Sequence, residues 1–359
     1  MTDALHVRGV LLPDDVTRDV WLVGDRVTFE PVPGAVSVCD QGFILPGLVD
    51  AHCHIGITLG GPPATMAEAR EAAFVDRAAG VLAIRDAGSP LPYGPAFDDD
   101  VDFPRLARAG RHIAAPRRYL RDIGVEVSAE DLDAEVRTQA AAGSGWVKLV
   151  GDWIDRSLGD LAPSWDGAAL RSAVATAHRE GARVAAHVFA EESVAALVRA
   201  GIDSVEHGTG LSDDDIAVMA EKGTALVPTL LNVRTFDRIA AQAQEKFPTY
   251  AAHMLALRDR MPGVVRKAHE AGVPLYVGTD AGGSLEHGLA VQEMLLLAEA
   301  GLSNEEVLRA GSWGAREWLG FPGLVEGGLA DLVVYGEDPR KDLRTLLAPV
   351  ALILRGRPL

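Results

Sequence analysis

Apolar residues recur along this chain in two rhythms. The first 42 residues break into short runs such as His6–Leu12 and Asp19–Val23, punctuated by Pro, Gly and Asp, with no helical period. That pattern predicts strands and turns. The last 35 residues repeat it in Asp331–Tyr335 and Val350–Leu354. Neither end carries enough apolar surface for a stable domain of its own. Residues 1–45 and 325–359 are therefore expected to unite as one composite β-sandwich.

Between the ends, short apolar runs alternate with helix-like stretches rich in Ala, Leu, Glu and Arg. The predicted strands are Phe43–Asp50, Val81–Arg85, His112–Ala115, Trp146–Val150, Arg183–His187, Ser204–His207, Ala225–Pro228 and Leu275–Gly278. Predicted helices stop at Gly80, Gly181, Gly201, Gly223 and Gly272, each just before the next strand. Eight βα units with nearly continuous apolar strands predict an α/β fold, a (β/α)₈ TIM barrel over residues 46–324. An open doubly wound sheet is the alternative, but no Gly-rich phosphate turn follows the first strand. Residues 234–261 read as one long helix, two helices, or a lid over the barrel mouth.

Composition changes little in this picture. The 359 residues are 48% hydrophobic and 24% charged, a soluble globular balance. A formal net charge of −17 disfavours nucleic acid and anionic membrane as partners. No apolar run is long enough to span a bilayer, and the first residues lack a basic segment leading into an apolar one. The two cysteines, Cys39 and Cys53, make a disulfide framework improbable, so a reducing, cytoplasmic setting is expected.

The chemistry begins at Val49-Asp50-Ala51-His52-Cys53-His54. Residues two apart on a strand face the same side, so His52 and His54 can reach one ion, while Cys53 points away. Alone, a His-x-His is also read as two packed polar residues. Four later strand ends, however, carry residues of ligand type: Lys148, His187, His207 and Asp280. Lys148 is the odd member, because a cation facing metal ions would be repelled. Burial and nearby positive charge favour its neutral amine, which can add carbon dioxide and become an anionic, bridging carbamate. The plainer reading pairs Lys148 with Asp280 or Asp152, or lets it snorkel at the rim.

Four segments carry a family resemblance: Leu45–His54, Gly201–Thr209, Val277–Gly282 and Gly327–Val334. With them the chain resembles the amidohydrolase superfamily, in its imidazolonepropionase-like and prolidase-like branch, over nearly its whole length. The resemblance implies a binuclear site, usually zinc. His52, His54 and Asp280 would hold the more buried metal, and His187 and His207 the more exposed one. Carbamylated Lys148 and a hydroxide would bridge the two. It also implies hydrolysis of an amide-type C–N bond in a small substrate such as a dipeptide or N-acyl amino acid, with esters left open and Asp280 as proton shuttle.

Residues 111–124 depart from the family, which is often Gly-rich there with a His. Arg117, Arg118 and Tyr119 stand in that stretch, and an arginine can clasp a substrate carboxylate. Tyr93, Thr229, Asn232 and His287 are further candidates for the pocket lining. Arg85 and Asp86 are expected to be structural. His6, His112, His178, His253 and His269 read as solvated or packing residues. The rivals are a lactam hydrolase, which needs the same chemistry, a deaminase and a non-catalytic binding barrel. A deaminase usually carries His-x-x-Glu at the fifth strand, where this chain has Ala190, with Glu191 one place later. A binding barrel would not need all six ligand positions filled. Self-association is common among such barrels, so a homo-oligomer stays open.

Overall fold

The computed structural model describes residues 4–359. Leu5–Leu11 is buried at alternate positions and pairs antiparallel with Val16–Val23, which pairs in turn with Arg26–Thr28. The Leu5–Leu11 strand also pairs in parallel with Val36–Cys39 and Phe43–Pro46. From the other end of the chain, Leu332–Tyr335 lies antiparallel to Phe43–Pro46, followed outward by Ala351–Leu354 and Arg357–Pro358. Both ends thus combine in one eight-stranded sheet, branched at Leu5–Leu11, rather than in two separately bonded layers. It has its own apolar cluster, including Val7, Val20, Leu22, Ile44, Leu332, Val334 and Ile353.

The predicted strand Phe43–Asp50 is in fact two. Phe43–Pro46 belongs to the terminal sheet, and Leu48–Cys53 opens the central one. Pro46 has no amide hydrogen to donate, and Gly47 lies so close to Leu82 that a Cβ there would meet its side chain at 2.5 Å. The chain changes sheet at that point.

The central strands all run parallel. Leu48–Cys53 pairs with Val81–Asp86 and then Arg105–Arg108. His112–Ala114 pairs with Trp146–Val150, followed by Arg183–Val188, Ser204–His207 and Ala225–Val227. The segment 274–281 bonds on both sides without forming a regular strand. Leu226 N–H donates to Pro274 O, and Tyr276 N–H donates back to Leu226 O. On its other flank, Ala51 N–H donates to Val277 O and Asp280 N–H to His52 O, each at 2.7 Å. Sequence reading missed Arg105–Arg108, because two arginines in four residues look like surface. Here Arg105 is bonded to Asp331 and Arg108 to Asp98.

Leu48–Cys53, Val81–Asp86 and Trp146–Val150 are buried at every residue. Parallel strands of that kind need cover on both faces, and the intervening helices provide it on one. Thr65, Ser212 and Ser303 start their helices with capping boxes, and Gly201 and Gly223 end theirs in the left-handed conformation. Residues 234–261 resolve into the end of Leu230–Arg234, then Phe236–Ala243 and most of Pro248–Glu270. Among the described residues no helix is long and apolar enough to cross a membrane.

Candidate active site

The six ligand-type residues meet at the carboxyl ends of the parallel strands. His52 Nε2 lies 3.3 Å from His54 Nε2 and 3.4 Å from Lys148 Nζ. One oxygen of Asp280 sits 3.3 Å from His52 Nε2 and 3.0 Å from His54 Nε2. His187 Nδ1 is 2.9 Å from His207 Nε2, and the His207 ring centroid is 5.1 Å from that of His52. His52, His207 and Asp280 place one ligand atom each within 4.8 Å of one another.

Backbone conformation at the strand ends sets these directions. His207, Thr229 and Asp280 have φ of 67°, 47° and 59°, in the left-handed region that non-glycine residues rarely adopt. In an extended strand Glu206 and His207 would point to opposite sides. The left-handed turn at His207 ends that alternation, so both serve one site. Glu206 lies beneath it, 2.6 Å from His52 Nδ1, and takes two bonds from Arg85 at 2.8 and 2.9 Å. Arg85 and Glu206 are both fully buried, and the guanidinium also lies over the Trp146 ring.

Two further ring nitrogens are tied to fixed oxygen partners. His54 Nδ1 lies 2.8 Å from Gly88 O, and His207 Nδ1 lies 2.7 Å from Thr229 Oγ1. Such contacts fix the ring orientation and leave the other nitrogen for a metal. Asp50 sits under the turn and accepts bonds from His52 N–H, Thr279 N–H and the Thr279 hydroxyl.

Burial and neighbouring charge shift Lys148, His187, His207 and Asp280 from their ordinary values. Lys148, 1% exposed, is pushed down to about 8, chiefly by burial. His187 falls to about 3 through burial and the nearby Lys148, and burial also takes His207 well below its ordinary value. Burial alone would raise Asp280, but His52, His54 and His207 around it outweigh that and hold it well below the usual carboxylate range. Imidazoles held neutral at His187 and His207, an ionised carboxylate at Asp280 and a lysine that gives up its proton more readily than usual form a donor set that fits a divalent cation. His187 Nδ1, 2.9 Å from His207 Nε2, turns toward the cluster, and its Nε2 is buried without a partner.

The amidohydrolase family model matches residues 43–358. The chain belongs to the amidohydrolase family. A Mycobacterium tuberculosis protein described as uncharacterized is 52% identical over 354 residues, covering 98% of this chain and 95% of its own length. Ochratoxinase of Aspergillus niger is 25% identical over 230 residues, which is 62% of this chain and 47% of that enzyme. Among solved structures, a Xaa-Pro dipeptidase with bound methionine superposes with a TM-score of 0.82 at 21% identity, over 99% of this chain and 100% of that one. The likeness shows a mixed α/β fold with a small additional domain. It is a hydrolase of C–N bonds.

The structure places the other candidates of this amidohydrolase as follows. Tyr119 packs 4.7 Å from the His112 ring and 6.0 Å from that of His187, so it lines the site. Trp153 and Phe189 continue the aromatic wall, 5.6 and 4.5 Å from the His187 ring. Arg118 pairs with Asp155 and donates to Trp153 O, while Arg117 is exposed. Thr229 touches His207, whereas Asn232 follows it in the next helix. Tyr93 is buried against Phe97 and bonds to Asp86. His287 was expected in the pocket. Instead its Nδ1 pairs with Asp76 at 2.8 Å, on the side of the strand to which Cys53 points. The loop from Asp280 turns back over the Met66–Ala78 helix at Gly288, whose N–H also donates to Asp76.

His112 was read as a packing or solvated residue. It is fully buried, and its ring centroid is 5.0 Å from that of His54. Glu206, Asp50 and Gly88 were missed as parts of the site. Glu206 was the legible one, because a glutamate inside a buried strand needs a buried partner.

Proposed function

We propose that this amidohydrolase cleaves an amide-type C–N bond of a small substrate at a binuclear centre in the mouth of a closed (β/α)₈ barrel. Residues 46–324 would form that barrel, and residues 1–45 with 325–359 the companion β domain. The observation that carries the reading is the convergence of His52, His54, Lys148 and Asp280 with the His187–His207 pair. His52, His54 and Asp280 would hold one ion, and His187 and His207 the other. Lys148, as a carbamate, would stand between them. Two divalent cations, zinc on this donor set, supply a polarised carbonyl and an acidified water when bound.

The chain's own residues do the rest. Asp280 has the most exposed side chain of the set, 18% against 1% for His52 and 6% for His54. It therefore faces the open side of the site, where it can take a proton from the attacking water and give it to the leaving amine. Tyr119, Trp153 and Phe189 provide an apolar wall for the substrate. With Arg118 neutralised by Asp155, an uncharged group suits that wall better than a carboxylate. A deaminase reading is disfavoured. Glu191 turns outward to His253 and Arg260 and does not reach the site.

The test is a screen of metal-reconstituted protein against dipeptides, N-acyl amino acids, lactams and deaminase substrates, alongside Asp280→Asn. Hydrolysis of an amide, lost in Asp280→Asn while the metal is retained, is expected. Ammonia release from a ring substrate, or wild-type turnover in Asp280→Asn, would overturn the reading.

A further inference from the structure

His112 has no role in the scheme above, yet its placement is tightly specified. It lies on the strand beside Lys148, and the two residues are direct Cα partners. Register neighbours on parallel strands project to the same face, so the imidazole and the lysine stem rise side by side into the site. The ring is fully buried, and neither of its nitrogens has a hydrogen-bond partner among the described residues. An imidazole buried for packing alone would be a costly choice, since an apolar ring fills the same volume without stranding two polar atoms.

The surroundings are shaped for this ring. Gly88 has φ 131°, and a Cβ there would come within 2.6 Å of His112 Cε1 and 2.7 Å of Nδ1. The carbonyl of the same Gly88 holds His54 Nδ1. Tyr119 covers the other side of the His112 ring, tilted by 33°. One glycine therefore orients a metal-ligand histidine and makes room for a second imidazole behind it.

We propose that His112 is a positioning residue for the carbamate of Lys148, donating a ring N–H to one of its oxygens. The inference rests on the carbamate reading given above. In the modification the Lys148 Nζ lone pair attacks carbon dioxide. A C–N bond forms, one N–H proton passes to solvent, and the charge settles on two oxygens. A fixed N–H donor on the neighbouring strand would stabilise that anion and hold its plane, because bonds to ionised acceptors are the strong ones. Carbamates on free amines revert readily, so this site needs such a clamp as well as metal ions.

The experiment uses the full chain stripped of metal and reconstituted with zinc over a bicarbonate series. It reads zinc per chain and the carbamate signal from ¹³C-bicarbonate. His112→Phe keeps a ring against Gly88 and Tyr119 but removes the donor, and His112→Leu serves if phenylalanine does not fold. His112→Asn restores an N–H. The apolar variants are expected to need at least about tenfold more bicarbonate for half-maximal zinc uptake, with a weakened carbamate signal, and His112→Asn to recover much of it. Uptake by the apolar variants at the wild-type bicarbonate concentration would overturn the role of His112 while leaving the carbamate standing. Wild-type protein that takes up zinc independently of bicarbonate and shows no ¹³C signal would overturn the carbamate itself, and this proposal with it.

Discussion

His207 Nδ1 and Thr229 Oγ1 lie 2.7 Å apart, and the threonine is held there in a left-handed conformation. Glu293 secures the arrangement from behind, accepting the N–H groups of Leu230 and Leu231 at 2.6 and 2.8 Å. The histidine is thereby oriented by a neighbour that is itself fixed. Thr229→Val keeps the shape and removes the hydroxyl, and it is expected to weaken metal binding by about 10–100-fold. Thr229→Ser should stay near wild type. Competition with a zinc chelator of known affinity measures both, and an unchanged affinity in Thr229→Val would remove the threonine from the site's support.

Glu206 joins His52 to Arg85 in the interior, with both charged groups fully buried. Burial raises the Glu206 carboxyl, and Arg85 and His52 more than reverse that. Glu206→Gln leaves Arg85 without its counter-charge, a loss of about 3–5 kcal/mol by analogy with other broken buried pairs. Urea unfolding of the metal-free protein isolates this effect from metal binding. A loss under about 1 kcal/mol would show that the pair is dispensable to the fold.

His287 faces Asp76, away from the ligand cluster. His287→Ala is therefore expected to cost stability, about 1–3 kcal/mol for stranding a buried carboxylate. Zinc stoichiometry and the chelator midpoint should not move. A change in metal content with unchanged melting temperature would put His287 back in the site.

Asp331 connects the terminal sheet to the central strands, bonded by Arg105 at 2.9 Å and Arg316 at 2.7 Å. Burial pushes its carboxyl up, but the two arginines outweigh that and hold it below its ordinary value. A carboxylate depressed on folding adds stability at pH above its unfolded value, near 4, and loses it as pH falls through the folded value. Asp331→Asn should be markedly less stable at pH 7, and the gap should narrow as pH falls below about 4 into the acid range. A gap that stays constant across that range would mean that the carboxylate's charge contributes nothing.

Much of this was legible from spacing. His52 and His54 share a strand face, and His187, His207 and Asp280 each follow a short apolar run, so a reading of the apolar pattern finds them. What escaped depends on departures from regularity. Arg105–Arg108 hid because its charges are satisfied outside the strand, Arg105 by distant Asp331 and Arg108 by Asp98 ten residues earlier. The first strand divides at Pro46-Gly47, where one sheet hands over to another. His287 falls on the wrong side because the loop from Asp280 turns back to Gly288. His112 looked like a packing residue because nothing local marks it. Its place follows from Lys148 on the next strand and from the missing side chain of Gly88.

The most direct test of the account is metal content measured on the same sample as turnover. Protein purified without chelator and reconstituted with zinc and bicarbonate is predicted to bind about two equivalents per chain and to hydrolyse an amide. Chelation should abolish that activity and zinc restore it. Less than about half an equivalent of tightly bound metal, or amide hydrolysis that survives complete chelation, would contradict it.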